Sequence, residues 1–112
     1  MKKVKPIYFV TVFYVDWDKP VGQTLYKRIR CWGWFANEKD AVKCIKENWT
    51  DIYEIGYYNL AMIEPMGQGP CAFAPTKSNR WFNVEYVDQN TYNVAEIGVP
   101  DRFKRHCGFS YA

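Results

Sequence analysis

Apolar side chains recur along this chain with two periods, and the change from one to the other divides it into elements. Residues 7–16 read I-Y-F-V-T-V-F-Y-V-D, with Ile7, Phe9, Thr11, Phe13 and Val15 on one face and Tyr8, Val10, Val12 and Tyr14 on the other. Both faces are apolar, which predicts a strand that is central in its sheet or covered on both sides. Turn chemistry follows at 18–22, D-K-P-V-G. A second strand is expected over 24–35, antiparallel to the first in a hairpin. Its alternation puts Leu25, Ile29, Cys31 and Phe35 on one face, interrupted by Lys27, and Tyr26, Arg28, Arg30, Trp32 and Trp34 on the other. Gly33 between the tryptophans predicts a bulge or a close backbone approach.

The period then lengthens. Asn37 is a good N-cap, Glu38 sits in the first turn, and Asp40 takes the third helical position. A helix is expected over 38–48, with Ala41, Val42, Ile45 and Trp49 as its apolar stripe and Cys44 beside it. Lys39, Lys43, Lys46 and Glu47 fall on the solvent side, Asn48 is a C-terminal stop, and 50–54 adds a further turn that Gly56 ends.

Period two returns at 57–65. It puts Tyr58, Leu60 and Met62 on one face and Asn59, Ala61 and Ile63 on the other. Pro65 and M-G-Q-G-P close that strand, and a short strand is expected at 71–74. The strand at 81–87 carries Phe82, Val84 and Tyr86 opposite Trp81, Asn83 and Glu85. A hairpin turn at 88–90 leads to a strand at 92–97, then a short helix-like turn, with a last edge strand at 106–112. The order is β-β-α-β-β-β, with room for one more short strand. That is an α+β domain over 1–112, an antiparallel sheet of about four to six strands with one main helix on one face. The other face is then expected to be free for a ligand or a partner.

Composition changes this picture in one respect. The 112 residues include nine Tyr, seven Phe and five Trp. A single modest core cannot hold them all, so some are expected at a groove or an interface. Net charge is only +3, from 15 basic and 12 acidic residues, which argues against nucleic acid as the partner. Cys31, Cys44, Cys71 and Cys107 form no C-x-x-C pair, so no zinc site is expected and each reads as a small buried hydrophobe. K-K-V-K before an apolar run has the start of a signal peptide, but Asp16-Trp17-Asp18 follows instead of a small-residue cleavage site, so a cytoplasmic protein is expected. No apolar run reaches membrane-spanning length.

No catalytic or cofactor motif stands out, and neither an enzyme nor a bound cofactor is expected. Asp51, Glu54 and Glu64 are candidate acids with nothing to pair them. His106 and Cys107, as neighbours on a strand, would point to opposite faces. The stronger candidates are Arg28, Arg30, Trp32 and Trp34. A cationic and aromatic face suits a planar or anionic ligand, because Arg forks onto phosphate or carboxylate and Trp stacks. Tyr57, Tyr58 and Asn59 could add hydroxyl and amide contacts, although packing and turn roles explain them as well.

The pattern R-x-R-x-W-G-W-F at 28–35, Ala41, Asn48, the run D-I-Y-E-I-G-Y-Y-N-L-A-M-I-E at 51–64 and G-Q-G at 67–69 resembles a group of small phage and prophage proteins. Trp81-Phe82 adds a weaker similarity. N-W-T-D stands where the pattern has a simpler spacer, and the C-terminal third matches loosely. The resemblance implies a role against host defence, by sequestering a nucleotide-like signal or by blocking a defence protein. A homodimer and a single-stranded nucleic-acid binder are the alternative expectations.

Overall fold

A computed structural model describes residues 6–20, 26–53, 56–66, 79–88 and 91–100. The strands are β1 (Ile7–Val15), β2 (Tyr26–Phe35), β3 (Leu60–Met66), β4 (Arg80–Asp88) and β5 (Thr91–Ile97), and the helix is α1 (Glu38–Lys46). They form one five-stranded sheet in the order β2-β1-β3-β4-β5. Every neighbouring pair is antiparallel. The chain is therefore α+β with a single main helix on the sheet, as the alternation predicts. The strand expected at 71–74, the turn at 21–22 and the whole segment after 100, with Glu54, Cys71, His106 and Cys107, lie outside the described residues.

The helix begins where its cap chemistry dictates. Asn37 Oδ1 accepts the Asp40 amide at 2.9 Å, satisfying one of the orphan donors of the first turn. It ends at Lys46, two residues short of the expected 48, with Glu47 as its C-cap; Asn48, just beyond, has a left-handed φ of 52°. Ala41, Cys44 and Ile45 are buried against Val10 and Val12 of β1, Ala61 and Ile63 of β3, and Phe82 and Val84 of β4.

The face away from the helix is not free. Phe13, Val15, Leu60, Met62 and Trp81 form a second buried cluster there, with Ile29 and Val99 packed against it. Thr11 and Glu64 are also buried. The physical reason is visible in β1: its outer face carries as much apolar bulk as its helix face, and both have to leave water. Trp81, at 0% exposed, stacks on Phe13 with centroids 5.9 Å apart.

Cys44 gives the fold an alkaline limit. Burial pushes its thiol from an ordinary 9.0 up to about 11. Beside it, the Tyr53 phenol donates to the Ile45 carbonyl at 2.8 Å. Burial first, then the neighbouring Cys44 and Tyr92, raises that phenol too. An unfolded thiol ionises near 9.0 while the folded one keeps its proton until about 11. In that window the unfolded state binds fewer protons, so stability is full below it and falls as pH rises through it. Cys44 should contribute a loss of about 2–3 kcal/mol across the window. Urea midpoints of Cys44→Ala on either side of it should move apart less than those of wild type; identical movement would remove Cys44 from the account. Cys31, by contrast, is exposed and not the small buried hydrophobe expected.

Candidate functional site

The pairing of β1 with β2 decides where the arginines point. Val10 faces Gly33 but Thr11 faces Cys31, so Trp32 is an extra residue in β2. Tyr14 faces Arg28 and Val15 faces Tyr26, which makes Lys27 a second. Each bulge shifts the alternation by one residue. Gly33 therefore marks a bulge; nothing lies within 4 Å of where its Cβ would be, so no close approach requires it.

Arg28 and Arg30 lie opposite Tyr14 and Val12, on the helix face of the sheet. Trp32 packs on the helix-side core. Trp34 lies opposite Phe9 on the other face and is 60% exposed. Two expectations are thereby corrected: the four residues do not share one face, and the arginines do not point away from the helix.

What gathers around Arg28 is aromatic. Its guanidinium lies 4.4 Å from the Tyr14 ring centroid and 3.8 Å from that of Tyr57. Its Nε and Nη2 donate to the Tyr57 carbonyl at 3.2 and 3.1 Å. Arg30 lies over the Trp32 ring at 5.1 Å. The Trp32 ring is itself fixed: its Nε1 donates to Thr50 Oγ1 at 3.1 Å, and Tyr58 meets it edge-on. Among the described residues neither Arg28 nor Arg30 meets a carboxylate, and Arg30 and Tyr57 are exposed.

Arg80 is the contrast. It reaches Glu38 at 2.5 Å and Glu96 at 2.6 Å, joining α1, β4 and β5. The two hydrogen-bonding glutamates raise its pKa, while the Arg80 hydrogen bond lowers that of Glu96. Arg80 is thus a structural cation, and its charge is already answered.

The turn that holds Trp32 is strained. Trp49–Asp51 forms a 3-10 turn in place of the further helical turn expected at 50–54, and Asn48, Thr50 and Asp51 have φ of 52°, 57° and 54°. A branched residue such as Thr50 rarely occupies that region. Asn48 braces the turn by accepting the Tyr53 amide at 3.0 Å and donating to Asp51 at 3.3 Å.

Tyr57 belongs to the exposed group, whereas its neighbours do structural work. Tyr58 is buried in the helix-side cluster, off the alternation of Leu60 and Met62, because β3 starts only at Leu60. Asn59 stitches strands together. Its side chain exchanges two hydrogen bonds with Val15, at 2.8 and 2.9 Å, while its backbone bonds Phe13 and Val84.

The sequence reading missed Tyr14 and Thr50. Tyr14 would have been found by placing it opposite Arg28 across the hairpin; no local signal pointed to Thr50. Asp51 sits in the strained turn and Glu64 is buried on the far face, so these candidate acids are not brought together. Among the described residues no cluster of metal-ligating side chains occurs, and no helix is long and apolar enough to cross a membrane. No family model, curated protein or solved structure matches the chain.

Proposed function

We propose that this chain is a non-enzymatic binding protein that antagonises host defence, docking the helix-side surface of Arg28, Arg30, Trp32 and Tyr57 onto an acidic patch of a defence protein. The observation that carries this reading is a pair of exposed or half-exposed arginines, Arg28 held against the rings of Tyr14 and Tyr57 and Arg30 against that of Trp32, neither answered by a carboxylate among the described residues. Arg, Trp and Tyr dominate binding energy at protein interfaces. Cations already ordered by stacking lose less freedom on docking. The defence setting is what the likeness to phage proteins implies.

The geometry supports a protein partner over a nucleotide at this surface. A nucleotide grip needs phosphate donors and an open ring on one side. Trp34, the most exposed ring among the described residues, is on the far face, and Trp32 already carries Arg30 and the edge of Tyr58. A photo-crosslinking phenylalanine in place of Tyr57, expressed in bacteria carrying a defence system that the wild-type chain suppresses, should trap a component of that system. The same probe in place of Trp34 should not. Trapping from Trp34 alone, or of a second copy of the chain from Tyr57, would contradict the reading.

A further inference from the structure

A second cationic surface lies apart from the arginine pair. The helix packs mainly over β1, β2 and β3, so the sheet continues past it to β4 and β5 and leaves a step along its flank. Lys39, Lys43 and Lys46 stand on that flank at helical spacing, with Val42 between them. Together with Glu38 and Arg80 they line a groove of about 410 Å3.

The charges of this groove are unequal in kind. Arg80 is clamped between Glu38 and Glu96, forming a rigid floor with little charge left to offer. The lysines make no ion pair among the described residues, although Lys46 is near enough to favour ionised Glu96. Like charges four apart on a helix repel by a few tenths of a kcal/mol, about 0.2–0.5. A bound anion would relieve that repulsion. Between the ammonium groups the walls are aliphatic, from Val42 and the lysine stems. The volume falls in the range of small-molecule sites, roughly 300–1,000 Å3. Inorganic phosphate alone would leave most of it unfilled.

We propose that this groove binds a small organic phosphate, its phosphates held by Lys39, Lys43 and Lys46 and its organic body lying on Val42 and the lysine stems. Ammonium groups approaching from separate points along a helix suit a multiply charged tetrahedral anion, which accepts from several directions. The site is independent of the docking surface, because none of its lining residues belongs to that surface.

The test is an NMR titration of the full-length, isotope-labelled chain with ADP and, separately, with inorganic pyrophosphate. ADP should shift the amide signals of α1 and of Arg80, and pyrophosphate should do so more weakly. The K39Q/K43Q/K46Q variant, changed only at the helix flank, should bind ADP about tenfold more weakly or worse, as expected for lost charge-assisted contacts. Arg28→Glu with Arg30→Glu should leave ADP binding unchanged. No ADP shift on α1 and Arg80, equal ADP affinity in the lysine variant, or shifts confined to the Arg28 and Tyr57 surface would each overturn the proposal. Pyrophosphate binding as tightly as ADP would overturn the part assigned to the organic body.

Discussion

Asn59→Leu should lower the thermal midpoint by roughly 10–20 °C, a loss of about 3 kcal/mol, although no large core residue is removed. The Asn59 side chain accepts the Val15 amide at 2.8 Å and donates to the Val15 carbonyl at 2.9 Å, acting as one more rung at the end of β1. Val15 is only 2% exposed. Leucine fits the space but leaves both backbone groups without partners. Each such group costs about 1–3 kcal/mol when it is withheld from water. Asn59→Asp should be comparably damaging, because a carboxylate cannot donate and would face the Val15 carbonyl oxygen. Calorimetric midpoints of both variants within about two degrees of wild type would show that solvent replaces these bonds.

This residue also shows where sequence reasoning stops. Apolar alternation placed the strands and the helix close to where they lie, since a period of two or of 3.6 survives small errors at element ends. The phase of β2 was a different matter. Trp32 and Lys27 each add a residue opposite β1, and hydrophobicity alone does not locate such an insertion. Gly33 hints at one bulge, yet a strictly regular alternation puts the arginines and tryptophans on a single face. Tyr58 misleads in a similar way, because it lies between the turn at Gly56 and Tyr57 and the start of β3, outside the regular pleat.

Long-range groupings were less legible again. Arg80 finds its role only when folding brings Glu38 and Glu96 to it from opposite parts of the chain. Lys39, Lys43 and Lys46 read as an ordinary solvated helix face until the step down to β4 beside them is seen. The buried second face is legible in β1, whose two faces are both apolar, but its grouping of Phe13 with Met62 and Trp81 follows only from the strand order β1-β3-β4.

Reversing both arginines should produce the largest functional effect. In Arg28→Glu/Arg30→Glu, two cations that would face an acidic partner become anions, so attraction is replaced by repulsion at the same positions. Loss of two hot-spot side chains costs about 4 kcal/mol or more, roughly a thousandfold in affinity. The fold should survive, because Arg28 donates to an exposed residue's carbonyl and Arg30 is itself exposed. Arg28→Lys/Arg30→Lys keeps the charge but loses the planar fork, and should fall between the two. The decisive measurement for the proposed role is phage plating on cells carrying a defence system, with and without the wild-type chain. The account predicts that the double reversal restores the block to phage growth, with the folded protein present at wild-type level, while Trp34→Ala leaves suppression intact. Full suppression by the double reversal would contradict it.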